Sequence, residues 1–325
     1  MRKLLLVAAL AALLVTPASA AVIIDWVPIG NAGNAADTPS TNCFAASCGS
    51  VAYDYQISPY EVTNAQYVEL LNAKAASDPL GLYNTSMGSD ATFGGITRSG
   101  VSGTYTYAVK SGFADKPVTY VSFYDSLRFT NWLNNGQGSG DTETGAYTLL
   151  GGTTTPSDGT SVTRNGGANI FLPSDNEWYK AAHYSPGGVY FDYPTGTDSM
   201  TGCVAPGSDT GNSANCDVAV GALTDAGAYG LSDSPYGTYD QGGNVWEWNE
   251  KIVAFVSLRG IRGGSWINDA SNLAASPLYA YGATNESDYV GFRVASLVPE
   301  PGTGLLGMTA VLGMALRRKR TAKAL

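Results

Sequence analysis

The sequence is short of the residues that bind transition metals. Its 325 residues include one histidine, His183, and four cysteines. A single imidazole cannot supply the histidine cluster of a non-haem iron site, so we expect no iron. His183 follows two alanines late in a predicted helix, which favours a packed or half-exposed structural residue over a chemical role. Neither cysteine pair has metal-site spacing backed by histidines.

Basic residues are also scarce. The chain has 18 lysine and arginine residues against 27 aspartate and glutamate residues. Seven of the basic residues and one acid lie in the terminal segments 1–20 and 299–325, which leaves 11 basic and 26 acidic residues in the body and a net charge of −15 there. Such a surface repels phosphate backbones. We therefore expect no nucleic-acid partner and a preference for cations.

Residues 1–20 have the composition of a targeting segment. Arg2 and Lys3 precede an apolar run, and Ala-Ser-Ala at 18–20 forms a small-residue cleavage pattern. This order is typical of a secretory signal peptide, and a retained anchor helix is the alternative. We expect export through the secretory pathway and a mature chain that begins near Ala21.

Residues 299–325 have a different kind of targeting pattern. They begin with Pro-Glu-Pro at 299–301, continue with an apolar stretch over 302–316 and then have a basic cluster over 317–320. A helix over the apolar stretch would be about 22 Å long at about 1.5 Å per residue. Because the hydrocarbon core of a bilayer is about 30 Å thick, this would be a marginal transmembrane helix. The basic cluster would hold that end on the cytoplasmic side.

This tail closely resembles the PEP-CTERM sorting signal of Gram-negative bacteria, and an ordinary tail anchor is the alternative. The resemblance implies exosortase-type sorting machinery as a partner and membrane attachment through the C-terminal segment before processing. It also implies a final location in the cell envelope, at the cell surface or outside the cell. An envelope or extracellular polysaccharide is a further partner that such a location suggests.

Four cysteines lie in the body, in two pairs that are close in sequence. Cys43 is followed by Cys48, and Cys203 by Cys216. In an oxidising compartment we expect both pairs to form disulfides. Each would contribute about 2–3 kcal/mol by closing a short loop. Free thiols are the alternative.

The body, residues 21–298, is long enough for one large domain or two small ones. Three short helices are predicted at capping boxes, formed by Thr63 and Gln66, Ser122 and Asp125, and Ser174 and Glu177. Short strands are predicted in GTYTYAVK (103–110), GAYTLL (145–150), ANIFL (168–172) and GFRVAS (291–296). The 40 glycines indicate much irregular structure between these elements. The outline is α+β.

Six motifs in the body occur in the order seen in the sulfatase-modifying-factor family, whose type member is the formylglycine-generating enzyme. They are YQISPYEVTNAQYVELLN, PVTYVSFYDSLRFTNWLN, IFLPSDNEWYKAAHY, YGTYDQGGNVWEWNE, IRGGSW and VGFRVAS. The resemblance runs from Tyr55 to Ser296, which is nearly the whole body. It implies one domain over residues 21–298 with a C-type-lectin-like α+β fold of the formylglycine-generating-enzyme type, low in regular secondary structure.

The resemblance also implies where catalytic groups would lie. In the type enzyme, two cysteines follow the segment that matches IRGGS, bind copper and oxidise a substrate cysteine. The matching positions here hold Asn268 and Leu273. Neither side chain forms a thiolate or binds copper(I), so we expect no copper and no catalytic residue at these positions. Cys203 and Cys216 would have to fold against this loop to replace the missing pair.

The segment DQGGNVWE resembles a structural calcium site of the family, and a turn with two solvated acids is the alternative. Carboxylate and carbonyl oxygens suit calcium, and the ligands here would be Asp240, the carbonyls of Gly243 and Val245, and Glu247. A second family site begins at an asparagine that resembles Asn215, but its acidic ligand cannot be placed. We expect Trp246 and Trp248 to pack beneath the turn rather than touch a ligand.

The preferred functional interpretation is an exported, surface-associated protein. Its domain would be a calcium-stabilised binding or structural module without the oxidase activity. One alternative is an enzyme with different or residual chemistry that uses an acid such as Asp269, for which no basic or histidine partner is identifiable; a turn acid is the simpler interpretation. The other alternative is a surface glycan-binding protein, suggested by twenty tyrosines, the lectin-like fold and the exported destination.

Overall fold

The computed structural model describes residues 21–38, 47–253 and 258–298, and within them two four-stranded sheets frame the core. The first sheet is antiparallel, with the strand order β1 (Val27–Ile29), β2 (Tyr55–Ile57), β12 (Ala295–Leu297) and β5 (Ile170–Phe171). The second has the order β10 (Tyr279–Gly282), β9 (Leu258–Arg262), β8 (Trp246–Val253) and β11 (Val290–Gly291). In this sheet β11 runs parallel to β8, and the other pairs are antiparallel.

Two smaller pairs of strands lie outside these sheets in the described part of the chain. Strands β3 (Ile96–Ser99) and β4 (Thr106–Val109) form an antiparallel hairpin. Strands β6 (Gly202–Cys203) and β7 (Ser213–Ala214) form a short parallel pair. The prediction of a mixed α+β outline is therefore confirmed.

Four α-helices occur in the described residues, and capping chemistry starts three of them. They are α1 (Asn64–Lys74), α2 (Ser86–Ser89), α3 (Phe123–Asn134) and α4 (Asp175–His183). At α1, α3 and α4 the N-cap hydroxyl accepts from the N3 backbone N–H, and the N3 side chain accepts from the N-cap N–H. All three predicted capping boxes are therefore confirmed. Each one satisfies two backbone donors that the helix itself leaves unpaired.

The predicted strands are only partly confirmed. GTYTYAVK contains β4, ANIFL contains β5, and GFRVAS overlaps β11 and β12. GAYTLL is not a strand, so that prediction is wrong. In this segment Tyr147 forms an isolated bridge to Arg164. Its hydroxyl accepts a hydrogen bond from the N–H of Leu172 and donates one to the carboxylate of Glu250. Side-chain anchoring replaces a strand ladder in this segment.

Helix α3 lies inside the core rather than on it. Every residue from Phe123 to Leu133 is buried, so the polar residues of this helix need internal partners. Arg128 meets this need by donating to the carboxylate of Glu143 and to the carbonyl oxygens of Thr153 and Thr154. The helix therefore fixes the long loop over residues 141–155 through one buried guanidinium.

One buried ion pair joins the two large sheets. Arg293, in the connection between β11 and β12, contacts Glu247 of β8 with nitrogen–oxygen distances of 2.6 and 2.7 Å, and both side chains are fully buried. Arg293 also donates to the carbonyl oxygens of Ser58 and Pro59, which follow β2, and to that of Tyr239. The pair therefore links β8 of the second sheet to the residues that follow β2 of the first sheet.

Of the two predicted disulfides, one is confirmed. Cys203 and Cys216 are bonded, with their Cα atoms 4.9 Å apart, and the bond closes the loop between β6 and β7. The prediction that Cys43 pairs with Cys48 stays a prediction, because Cys43 lies outside the described residues. The predicted signal peptide (1–20) and sorting tail (299–325) also lie outside them.

Membrane attachment was expected only through the tail. In the described ranges, no helix is long and apolar enough to cross a membrane. That finding concerns residues 21–38, 47–253 and 258–298 alone, and the marginal helix predicted over 302–316 is not among them.

We expect Arg293→Met to lower the free energy of unfolding by about 3–5 kcal/mol, because it leaves the buried Glu247 carboxylate without its partner. Urea denaturation followed by tryptophan fluorescence measures the loss. Asp225→Ala is the control, since it removes only the partner of Lys116 at a site where Asp225 is 61% exposed, and should cost less than about 1 kcal/mol. Equal losses in the two variants would contradict the role of the buried pair.

We expect replacement of both Cys203 and Cys216 by alanine to lower the free energy of unfolding by about 3 kcal/mol, because the unfolded chain regains the entropy of the open loop. The measurement is again equilibrium unfolding in urea. Thr210→Ala, an exposed change in the same loop, should stay within about 0.5 kcal/mol of the unmutated protein. A double variant as stable as the parent would show that the bond does not stabilise the fold.

Candidate functional site

The DQGGN turn is shaped by left-handed backbone conformations. Asp240, Gly243 and Asn244 have φ values of 57°, 88° and 57°. Glycine is required at 243 because a Cβ there would lie 2.5 Å from the carbonyl oxygen of Asn215. Asn244 holds the turn from inside: its amide nitrogen donates to Glu61 at 3.1 Å and its amide oxygen accepts from Asn215 at 3.2 Å.

Three buried carboxyl groups lie behind this turn: Glu247 is hydrogen-bonded to Arg293, and Glu61 and Asp240 interact electrostatically with the same guanidinium. Burial raises the pKa of Asp240 to about 6 and the pKa of Glu61 well above its ordinary value. Oε2 of Glu61 is buried and has no hydrogen-bond partner among the described residues. Asp240 accepts from the N–H of Gly227 at 2.5 Å through Oδ2. The cluster therefore holds more acid than base.

The predicted calcium ligands are only partly available. Glu247 already accepts from Arg293 through both oxygens and from the indole N–H of Trp178 at 2.7 Å. Oδ1 of Asp240 accepts no hydrogen bond from a described residue, and the excess of buried acid favours a cation. The donor types, carboxylate and carbonyl oxygens, are those that calcium prefers, and Glu247 would have to be shared with Arg293. In the part of the chain that the structure describes, no group of three or more His, Cys, Asp and Glu residues could hold a metal ion.

Asn215, the start of the second predicted family site, is buried beside the first. Its amide nitrogen donates to the carbonyl oxygen of Ala222 at 2.9 Å, and its Oδ1 has no hydrogen-bond partner among the described residues. The orphaned oxygen is compatible with a second cation but does not define a site.

The loop that carries the family's catalytic positions turns at two glycines. Gly263 and Gly264 have φ values of 99° and 72°. A Cβ on Gly263 would lie 2.7 Å from the carbonyl oxygen of Gln241, so this loop packs directly on the DQGGN turn. Asn268 follows, and its Oδ1 accepts from the indole N–H of Trp246 at 2.9 Å and from the hydroxyl of Ser265 at 2.7 Å. A neutral hydrogen-bond network occupies the place of the first cysteine.

Leu273, at the second cysteine position, is buried in the same apolar cluster as the disulfide. It packs in one apolar cluster with Cys203 and Cys216. The residue after Cys216 also reaches this loop, since the N–H of Asp217 donates to the carbonyl oxygen of Asn268 at 2.7 Å. The sulfur atoms are therefore near the family's catalytic loop, which their sequence positions did not indicate, but they are bonded to each other, so neither is a thiol.

Two other candidate residues are structural, as the sequence indicated. Asp269 caps a short 3₁₀ helix by accepting from the N–H of Ser271 at 2.9 Å, and its hydrogen bonds from Ser271 lower the pKa of this exposed carboxyl. His183 is buried at the end of α4 against the rings of Trp178 and Tyr179. Burial lowers the pKa of His183 to about 3, so it is neutral throughout the physiological range.

A cleft opens beside Asn268 on one face of the second sheet. Its volume is about 390 Å³, and nine residues line it: Trp246, Ile261, Ile267, Asn268, Asn272, Tyr279, Ala280, Tyr281 and Tyr289. None of the nine is cysteine, histidine, aspartate, glutamate, lysine or arginine. Apart from the tyrosine hydroxyls, the cleft therefore offers no acid, base or nucleophile.

The aromatic residues of the cleft hold one another in place. Tyr279 packs on Trp246 with ring centroids 4.9 Å apart and an interplanar angle of 64°. The hydroxyls of Tyr281 and Tyr289 are 2.9 Å apart. Trp246 and Trp248 are both buried, as predicted, and Trp246 also lines the cleft.

A second, smaller cavity contains a carboxyl pair at the start of α3. It has a volume of about 150 Å³, and Asp125 and Glu286 are among its lining residues. Burial and the neighbouring Asp125 raise the pKa of Glu286 to about 8, so the pair holds a proton at neutral pH. Asn84 donates to Glu286, and Ser122 donates to Asp125 at 2.6 Å. This network closes the N-terminal end of α3.

Sequence reasoning missed the cleft and the buried arginines. The cleft residues come from three strands and two connections, and only the alternation Tyr279-Ala-Tyr281 hints that two rings share one face of a strand. Arg164 was also overlooked, although it bridges the carboxylates of Glu177 and Glu250 at 2.6 and 2.7 Å. No local pattern marks such an arginine, because its partners are distant in sequence.

Comparisons with known proteins agree with this fold. A crystal structure of CarF has a TM-score of 0.58 and 21% sequence identity, and the match covers 85% of this chain and 99% of that chain. Variable protein 1 of Treponema denticola has a TM-score of 0.56 and 19% identity over 86% of this chain and 97% of that chain. At these identities the likeness concerns the fold alone.

One curated relative matches a shorter stretch. It is "Inactive C-alpha-formylglycine-generating enzyme 2" of Mus musculus, 37% identical over 95 residues, which is 25% of this chain and 31% of that protein. The chain thus spans about a third of the length of the curated relative that it matches. The family described as "Sulfatase-modifying factor enzyme 1-like domain" matches residues 21–298, a range that includes every residue the structure describes. The chain belongs to the sulfatase-modifying factor enzyme 1-like family.

Proposed function

We propose that this protein is a non-catalytic member of its family, in which the former catalytic cleft serves as a binding site. The observation that carries the proposal is the composition of that cleft. Asn268 stands at the first catalytic position and is held by Trp246 and Ser265, while the surrounding residues are aromatic, aliphatic or amide side chains. A concave, mostly apolar surface with a few fixed polar groups is the usual form of a ligand site.

The chemistry that the family resemblance implied requires thiolates, and the described residues that line the cleft include no cysteine. Copper(I) prefers soft sulfur ligands, whereas an amide and an aliphatic side chain occupy the two positions. The nearby sulfur atoms of Cys203 and Cys216 are joined in a disulfide, which neither binds copper as a thiolate nor attacks a substrate. The name of the murine relative, which describes that protein as inactive, is consistent with loss of activity within this family.

We also propose that a calcium ion stabilises the DQGGN turn, with Asp240, Glu247 and the carbonyl oxygens of Gly243 and Val245 as ligands. The support is the excess of buried carboxyl groups over guanidinium in this cluster and the open Oδ1 of Asp240. Bound calcium would supply positive charge where Arg293 alone leaves a deficit. Its role would be structural, because the turn packs beneath the loop that carries Asn268.

The cellular setting is a further part of the proposal. Residues 1–20 have the pattern of a signal peptide and residues 299–325 that of an exosortase-recognised tail. A disulfide in the body suits an oxidising compartment. We infer export through the secretory pathway to the cell envelope or surface, where the domain would present its cleft to extracellular material.

The proposal predicts no conversion of a cysteine-containing sulfatase peptide to formylglycine, with or without added copper, because no copper–thiolate centre can form at Asn268 and Leu273. Mass spectrometry of the peptide after incubation measures the outcome. A catalytically competent family member run in parallel confirms that the assay works. Copper-dependent turnover by the unmutated protein would falsify the non-catalytic assignment.

For the calcium site, we expect calcium to raise the melting temperature, since an ion bound only by the folded state stabilises it by about 2.7 kcal/mol at a hundred times its Kd. Asp240→Ala should remove most of this shift. Asp269→Ala, which removes an exposed acid outside the cluster, should keep it. A chelator that leaves the melting temperature of the unmutated protein unchanged would contradict the site.

A further inference from the structure

The cleft beside Asn268 has a chemistry that selects among ligand classes. Its lining contains no lysine or arginine to bind a carboxylate or phosphate, and no carboxylate to bind an ammonium group. The body around it carries a net charge of −15, which repels anions further. These features disfavour an anion, and the lining has no carboxylate to pair with a cation, so an uncharged ligand suits the site. At about 390 Å³, the cleft is within the range of about 300–1,000 Å³ typical of small-molecule sites.

The polar groups in the lining suit hydroxyl groups. The amide oxygen of Asn268 is fixed by two donors, Trp246 and Ser265, so its amide nitrogen, which donates to no described residue, is left for a ligand oxygen. Asn272 uses its amide nitrogen on Asp269 at 3.2 Å, which leaves its amide oxygen as an acceptor. A hydroxyl both donates and accepts, and can use both amides.

The aromatic groups lie on one face of the sheet, and two of them come from its edge strand, β10. Ile261 of β9 pairs with Trp248 of β8 on one side and with Tyr279 of β10 on the other. Trp246 and Tyr281 are two residues from these partners along their strands, and therefore share the same face. A peptide that adds to a sheet bonds to the backbone of its edge. A face of aromatic rings instead favours a ligand with a flat apolar surface.

From the charge, the amides and the ring face together, and resting on the proposed binding role of this cleft, we propose that the cleft binds an uncharged carbohydrate. The C–H face of a neutral sugar ring stacks on Tyr279, which is 49% exposed. The buried ring of Trp246 packs against Tyr279 and supports it. Sugar hydroxyls bond to the amides of Asn268 and Asn272 and to the hydroxyl pair of Tyr281 and Tyr289. An acidic sugar is repelled by the surrounding negative charge.

The test is binding of the full chain to an array of neutral and uronic-acid-containing oligosaccharides, followed by a fluorescence titration with each neutral oligosaccharide that binds. We expect binding to neutral sugars only. Tyr279→Ala should weaken it at least tenfold, because the stacking ring is lost, while Tyr279→Phe keeps the ring and should bind within about threefold of the parent. Leu231→Ala, an exposed change that lies outside the cleft lining, should leave affinity unchanged.

Every other outcome overturns the carbohydrate assignment, and each can be told apart from the others by the measurement that shows it. No binding on the array, binding of acidic sugars alone, or neutral-sugar binding that Tyr279→Ala does not weaken would each contradict it. Choline and the sulfatase peptide are titrated as further probes. Binding of either at the cleft, without a sugar, would overturn the ligand class but preserve the binding role, whereas copper-dependent conversion of the peptide would overturn the proposed function itself.

Discussion

The contact on which the fold depends is the buried pair of Arg293 and Glu247. A guanidinium has five N–H donors, and Arg293 makes five hydrogen bonds: two to Glu247 and three to the carbonyl oxygens of Ser58, Pro59 and Tyr239. Removing such a charge from water is costly unless every donor is used. The acceptors come from strand β8, from the two residues after β2 and from Tyr239 before the DQGGN turn, so the arginine is satisfied only when all three segments are in place.

Glu247 of this pair also lies next to both candidate sites in the sequence. Glu247 is the first acid of β8, and its neighbour Trp246 forms part of the cleft. The residue two before Trp246 in the turn, Asn244, reaches Glu61 and Asn215. The acid cluster, the turn and the ring face of the cleft are therefore consecutive parts of one short segment. A change in the charge balance at Asp240 would be felt within a few residues of the cleft.

Local features of the fold could be predicted from the sequence, because capping chemistry acts over three residues. The boxes at Thr63, Ser122 and Ser174 gave the helix starts correctly. Strand prediction was weaker, and it failed at GAYTLL. An alternating pattern there reflects a tyrosine, Tyr147, whose side chain is anchored by Glu250 and by the backbone of Leu172. Alternation of apolar and polar residues indicates which side chains are buried, but it does not by itself show that the backbone pairs with a neighbouring strand.

The sites divide in the same way. The replacement of two cysteines by Asn268 and Leu273 could be read from spacing, and the bond between Cys203 and Cys216 from proximity in sequence. The closeness of that bond to Leu273 and the assembly of the cleft could not, because they depend on strand register and loop packing between distant segments. The rings of Tyr279 and Trp246 meet across β9, which lies between their strands, so this contact depends on the register of three strands.

The position of β12 has a consequence for the order of folding. This strand is the last in the described chain, yet it lies inside the first sheet, between β2 and β5. The hydrogen bond from Arg293 to Ser58 likewise spans 235 residues. Contacts of such separation form slowly, since a long loop must close first. A chain emerging from a ribosome would therefore have β2 paired only with β1, and β5 without its partner strand, until residues 295–297 arrive.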